Sequence, residues 1–311
     1  MTLKEMKILL IGTVVKDKII FLDKTQVESF GGLTHSINAA LAVCNSDDRL
    51  IPFSRIGVDI YSDFNQLWMN DNRLVKDGLI PYSKKNNCVE LTYLDANERI
   101  EKSLYPMPPL QFDEVAPFLD VDLILVNLIS GWDVELLFMQ KLRTAFDGLI
   151  AIDIHSLTLE RLSDGTRRLK PVTYIQSWLE CADIIQLNER EYEMIAGGEK
   201  DPEIFFMQTC AQTDKIINFT KGPQGSISYR IKKNRCEVIR ISADQNIKVI
   251  DPIGCGDTFF AVFGINYFKT KDTKLSAFRA NTVAASAGSI KGLADSVTLQ
   301  KKLGLYTRED M

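Results

Sequence analysis

The stretch Ile250-Asp-Pro-Ile-Gly-Cys-Gly-Asp-Thr258 sets a carboxylate beside two closely spaced glycines. Gly254 and Gly256 allow a tight turn whose amide N–H groups can face a ligand without obstruction by a Cβ. A helix that starts at Asp257 would aim its positive end at the same point, so the turn reads as an anion hole. Asp257 itself would repel a phosphate. It suits a base that takes the proton from a hydroxyl, while the amides of Gly254, Cys255 and Gly256 hold the phosphoryl group under attack. The same residues also describe an ordinary helix N-cap after a glycine-rich turn, and the motif alone leaves both open.

Positioning that turn requires elements on either side. Asn246 to Ile250, with Ile247, Val249 and Ile250, is predicted as a short buried strand, and Phe259 to Phe268 is apolar over a helical length. Further upstream, strand-like and helix-like segments alternate, which predicts a βα fold with a largely parallel sheet. Expected strands are Lys7 to Val14, Leu123 to Val126, Leu149 to Asp153, Asp183 to Leu187 and Lys215 to Phe219. Expected helices are Thr34 to Cys44, Asp133 to Thr144, Glu189 to Ala196, Pro202 to Thr213 and Lys274 to Gly288. Ser226 to Ile231 and Arg235 to Ile241 read as a hairpin. Two regions break the alternation: Asp17 to Phe30, and Cys88 to Tyr105, which reads as two strands around the turn Asp95-Ala-Asn-Glu98.

Composition bounds the function. The 311 residues are 45% hydrophobic with a net charge of -4, enough for a substantial core and without a basic footprint for nucleic acid. Six scattered cysteines without a Cys-x-x-Cys pair, and only two histidines, argue against a zinc ribbon and fit a reducing cytoplasm. Lys4 and Lys7 precede the apolar run Ile8 to Val15, but the run is short and ends at Lys16, so a strand is expected rather than a signal peptide. No apolar run reaches membrane-spanning length, and neither a P-loop nor a dinucleotide fingerprint is present.

Asp251-Pro-Ile-Gly-Cys-Gly-Asp257 resembles the C-terminal signature of the ribokinase-like (PfkB) carbohydrate kinases, usually Asp-Thr-x-Gly-Ala-Gly-Asp, with Pro252 and Cys255 as departures. Three further segments extend the resemblance over most of the chain. Gly12 followed by Asp17, and the pair Gly31-Gly32, match the family's sugar-binding residues. Asn188-x-x-Glu191 matches its magnesium-associated motif, and Thr220-Lys-Gly-Pro-Gln-Gly225 its nucleotide loop. Ala280-Asn-Thr-Val-Ala-Ala285 resembles the helix that lines the adenine pocket.

The resemblance implies a single domain over 1–311, an α/β layer with a small β lid near 17–30 and 88–105. It implies ATP and Mg²⁺ as cofactors, and phosphorylation of a hydroxyl on a sugar or sugar-like polyol. Asp257 would be the base beside Gly254, Cys255 and Gly256. Asp17, Gly31, Gly32 and Ser36 would hold the substrate, and Glu191 the metal. Asn188, Thr220, Lys221, Gly222, Gly225 and Asn281 would serve the nucleotide. Ser36 stands where the family usually has Asn, so sugar specificity does not carry over. His35 beside it is expected to be structural. Lids in this family often pair between subunits, so a homodimer is an expectation. A nucleoside kinase remains an alternative, with Tyr93, Tyr105 or Phe112 as a base slot. So do a sugar-phosphate acceptor held by Lys16, Lys18 or Arg55, and a non-catalytic sugar or nucleotide sensor.

Overall fold

The computed structural model describes residues 5–95, 99–210 and 213–303. Among them, a nine-stranded sheet forms the centre, in the order Arg235–Ile241, Ser226–Lys232, Lys215–Thr220, Ile184–Asn188, Leu149–Asp153, Leu123–Asn127, Lys7–Gly12, Arg49–Gly57, Leu79–Tyr82. All strands from Lys215–Thr220 to Leu79–Tyr82 run parallel, and the remaining two add an antiparallel end.

Alternation on the strands explains the layering. Ile8 and Leu10 face one apolar layer while Leu9 and Ile11 face the other, and Leu123/Leu125 against Ile124/Val126 repeat the division. A parallel sheet covered on both faces buries every residue of such a run, which is why these strands read as unbroken hydrophobic stretches. The helices Leu33–Val43, Cys255–Thr270 and Thr273–Gly288 fill the first layer. Leu136–Ala145, Ile175–Glu180, Glu189–Ile195 and Pro202–Cys210 fill the second.

A second sheet stands apart, with four strands in the order Gln26–Gly32, Val14–Ile20, Cys88–Tyr93, Arg99–Leu104. It occupies the two regions that broke the alternation. The expected turn at 95–98 lies largely outside the described residues. The short hairpin Leu159–Arg161 with Arg167–Leu169 docks on the outer strand, where the Ser103 amide donates to the Gly165 carbonyl at 2.8 Å and Arg161 Nε donates to the Ser103 carbonyl at 2.8 Å.

Several expected bounds move. The first strand ends at Gly12, because Val14 onward pairs in the second sheet. The helix expected from Asp133 starts at Leu136; the Asp133 carboxylate instead accepts from the amides of Ser130 and Gly131. Arg49–Gly57 and Leu79–Tyr82 are strands that the alternation did not mark. The strand expected at Asn246 to Ile250 is absent: Val249 and Ile250 are 44% and 58% exposed in a loop held by two amide bonds to the Gly288 carbonyl. Short apolar runs carry no information about whether a partner strand is free to receive them.

Candidate active site

Parallel strands end together, and the cleft lies at their C-terminal ends, as physical rules for open α/β sheets anticipate. Register places Gly12, Asn127 and Asp153 side by side, and Asn188 beside Thr220. A cleft of about 330 Å³ opens above them, walled on the far side by the four-stranded sheet. Asp17, Gly32, Asn188, Glu191, Thr220, Gly254, Gly256 and Asp257 all line it. Residues separated by up to 240 positions in the chain thus converge on one space.

The helix Cys255–Thr270 begins at Gly254, whose φ of 78° only glycine adopts without strain. Any side chain there would also overlap the His35 ring, which packs flat against this turn. The Cys255 amide donates to the Pro252 carbonyl at 3.2 Å, so it does not join the anion hole. Its thiol is packed beneath the turn, and burial pushes its pKa up to about 12, which suits an inert filler. The amides of Gly254, Gly256 and Asp257 have no partner among the described residues. The free amides of this turn are thus those of Gly254, Gly256 and Asp257, and that of Cys255 is not among them. Nothing lies within 4 Å of where a Cβ on Gly256 would stand.

Asp257 is only 8% exposed, and its Oδ1 accepts from Asn127 Nδ2 at 2.7 Å. No described group donates to Oδ2. Asn127 also donates to Ser36 Oγ at 3.1 Å, and Ser36 Oγ donates to the Asp257 carbonyl at 3.1 Å. Ser36 is fully buried behind the turn and does not reach the cleft. Its position supports the acid instead of touching a ligand. Sequence reasoning missed Asn127 because it is one polar residue ending an apolar strand; that ending was the only available signal.

Across the cleft, the Asp17 carboxylate lies directly over Gly31, where any Cβ would overlap it. Gly32 has a φ of 58° and opens the helix Leu33–Val43. The diglycine therefore makes room for a carboxylate, and Gly31 stays behind it rather than lining the cleft.

Glu191 and Asn188 form a reciprocal helix cap: the Asn188 side chain accepts from the Glu191 amide at 3.0 Å, and Glu191 Oε2 accepts from the Asn188 amide at 2.8 Å. The helix-start pattern and the site motif are the same residues. Burial holds the Glu191 carboxyl above its usual pKa, with His155, its Nδ1 3.9 Å from Oε1, pulling the other way. Asp153 is raised well above the carboxylate range, first by burial and then by the charges of Glu191 and Asp257. The Gln186 amide bridges Asp153 Oδ2 at 2.8 Å and the Gly256 carbonyl at 2.9 Å. His35 is buried, its pKa lowered by desolvation, and its Nε2 has no partner among the described residues.

Other expected residues stay outside. Lys221 pairs with Glu189 at 3.3 Å, and the amides of Lys221 and Gly225 are used inside the turn, bonded to Gly225 and Gly222 carbonyls. Gly222 and Gly225, with φ of 52° and 94°, are turn glycines. The Asn281 amide donates to Ser226 Oγ and the Ala277 carbonyl. Lys16, Lys18 and Arg55 each pair with a carboxylate, of Glu28, Glu90 and Glu114, and none lines the cleft. Tyr93 stacks on Phe21 and Phe112 packs on Phe138, and no described Phe, Tyr or Trp lines the cleft.

Residues 2–299 match the model of the pfkB family carbohydrate kinases, and the chain belongs to that family. Its fold is ribokinase-like, and it is a carbohydrate kinase by family. A pyrophosphate-dependent kinase in the ribokinase family superposes with a TM-score of 0.78 at 18% identity, covering 96% of this chain and all of that one. A nucleoside kinase of Methanocaldococcus jannaschii gives 0.72 at 17% identity, with 97% and 99% covered. The ribokinase of Arabidopsis thaliana, complexed with ribose and ATP, gives 0.72 at 15% identity, with 96% and 99% covered. No curated protein sequence matches significantly.

Proposed function

We propose that the protein transfers a phosphoryl group from ATP, with Mg²⁺, to a hydroxyl of an uncharged sugar or polyol. One observation carries this: Asp257 presents an unpartnered carboxylate oxygen beside the partnerless amides of Gly254, Gly256 and its own backbone, opposite Asp17. Asp17 accepts substrate hydroxyls and turns one toward Asp257. Asp257 Oδ2 takes the proton as that oxygen bonds to phosphorus and the bond to the departing phosphate breaks. The three amides meet the charge on the transferred group.

Among the described residues, no three His, Cys, Asp or Glu side chains converge as direct metal ligands. Buried, mutually repelling carboxylates at Asp153 and Glu191 with the Asn188 amide nevertheless fit a hard cation held largely through waters. Bound Mg²⁺ would neutralise the donor phosphates. A nucleoside acceptor is disfavoured because no described Phe, Tyr or Trp ring lines the cleft. A sensor has no need of an oriented base. Pyrophosphate is a second donor reading, supported by the engagement of Lys221 and Asn281 elsewhere and by the pyrophosphate-dependent neighbour.

The deciding experiment incubates the protein with ATP or pyrophosphate, Mg²⁺ and a panel of sugars, polyols and nucleosides, reading phosphorylated product. Transfer to a neutral polyol that Asp257→Asn lowers by about 10²–10⁴-fold is expected; turnover unaffected by that change would overturn the assignment. No helix among the described residues is long and apolar enough to cross a membrane. A cytoplasmic site of action is part of the proposal. Two copies could pair along the Gln26–Gly32 edge of the small sheet, which sedimentation would test.

A further inference from the structure

A buried amide side chain interrupts one of the central strands where apolar residues are the rule. Gln186 lies on Ile184–Asn188, is 2% exposed and lines the cleft. Its strand neighbours divide as expected for a parallel sheet covered on both faces: Ile184 enters one apolar layer, Ile185 and Leu187 the other. By alternation Gln186 takes the side of Ile184, which is the layer of the helix Cys255–Thr270. An apolar residue of similar volume would fill that place without burying an amide, and Gln186 Oε1 has no partner among the described residues. What an apolar residue cannot do is donate.

The donated bonds are specific. Both partners of Gln186 Nε2, the Asp153 carboxylate and the Gly256 carbonyl, are acceptors, so the side-chain amide has one orientation that satisfies them. A group tied at two points has little freedom to turn. Gly256 stands in the first turn of its helix, where amides lack intrahelical partners and the turn is held through its carbonyls.

Peptide planarity carries that hold to the cleft. The Gly256 carbonyl and the Asp257 amide belong to one trans peptide and point in opposite directions. Fixing the carbonyl on Gln186 therefore sets the direction of the Asp257 amide, one of the free amides of the turn. Other supports act on other groups: the His35 ring packs against Gly254, and Ser36 Oγ donates to the Asp257 carbonyl in the next peptide.

We propose that Gln186 is a positioning residue for phosphoryl transfer: tied to Asp153, it holds the Gly256 carbonyl and so aims the Asp257 amide at the phosphoryl group under transfer. This rests on the kinase reading above for its effect on turnover, whereas the aim of the amide is measurable without turnover. Gly256-Asp257 is the only Gly-Asp pair in the chain, which lets this one peptide be observed by itself. Protein made by cell-free synthesis with ¹³C-carbonyl glycine and ¹⁵N-aspartate gives a single amide-to-carbonyl NMR correlation, reporting both ends of the peptide.

Pyrophosphate and the non-hydrolysable ATP analogue AMP-PNP, each with Mg²⁺, are the probes. In the native protein at least one of them is expected to displace the Asp257 amide signal. Gln186→Met should move the Gly256 carbonyl signal upfield, through loss of its hydrogen bond, and cut the amide displacement by about half or more. A carbonyl signal unchanged by the substitution, or an amide that responds as in the native protein, would overturn the proposal and leave the kinase reading standing. A native amide that answers neither probe would strike at the anion hole itself and bring both down.

Steady-state kinetics on a proven acceptor give the second measurement. Gln186→Met is expected to lower kcat about tenfold while acceptor KM changes by less than about threefold. An acceptor KM that rises while kcat holds would place Gln186 in substrate binding or packing and count against the assignment. Should Gln186→Met not fold, Gln186→Leu carries the same expectations.

Discussion

Asp257 depends for its aim on Asn127, which holds Oδ1 while leaving Oδ2 open. Asn127→Ala should therefore lower kcat by about ten- to a hundredfold, the usual scale for a misplaced reacting group, with little change in acceptor KM. Steady-state kinetics on a proven acceptor check this; a pure KM effect would mean Asn127 binds substrate. Gly256 offers a sharper case. Its φ is ordinary and nothing stands near a Cβ there, so Gly256→Ala should fold normally and gain up to about 1 kcal/mol in helix stability. The methyl group would nevertheless enter the space assigned to the transferred phosphoryl. Loss of transfer with an unchanged or raised melting temperature is the expected pair of results. Retained turnover would remove the anion hole from the mechanism.

At the scale of elements, the sheet gathers like charges at its strand ends. Asp153 at the end of Leu149–Asp153 is buried beside Glu191 and Asp257, which raises its pKa. A carboxyl whose native pKa lies above its unfolded value binds more protons when folded. It destabilises the fold when ionised, and that cost is relieved as pH falls from above the native pKa toward the unfolded one. Asp153→Asn should accordingly raise the melting temperature at neutral pH by a few degrees, roughly 2–4 °C per kcal/mol for a protein of this size or smaller. The gain over the native protein should shrink steadily on acidification, as the unfolded-state carboxyl takes up its own proton. Thermal melts across pH test this; a gain that grows on acidification would reverse the sign. Glu191, raised by burial as well, should lose charge at higher pH than an ordinary carboxylate, so Mg²⁺-dependent activity is expected to fall early on the acid side.

The whole molecule closes the cleft by joining two sheets. The hairpin of Leu159–Arg161 and Arg167–Leu169 covers the outer strand Arg99–Leu104, so that edge is not open for pairing. Arg161→Ala removes a 2.8 Å bond from the guanidinium to the Ser103 carbonyl. It should speed hydrogen exchange along Arg99–Leu104 and raise acceptor KM, leaving exchange in the central sheet unchanged. Uniform loss of protection would instead show that the small sheet is not a separately mobile unit.

Chemistry that depends on local backbone was legible in the residues: Gly254, Gly256, Asp257 and the Asn188–Glu191 pair lie on one turn or one helix start, where spacing alone sets geometry. The parallel sheet followed from apolar runs that must be buried on both faces. Asn127, Gln186 and the inward placement of Ser36 were not legible, since each owes its role to a partner more than 60 positions away in the chain. Asn246 to Ile250 failed as a strand for the same reason, because hydrophobic character cannot reveal whether an open ladder awaits it. Sequence by itself determined that a glycine turn and an acid stand together at one helix start. Only tertiary structure decided which amides remain free, what aims the acid, and which charges meet across the cleft, because burial and pairing are properties of neighbours that covalent order does not supply.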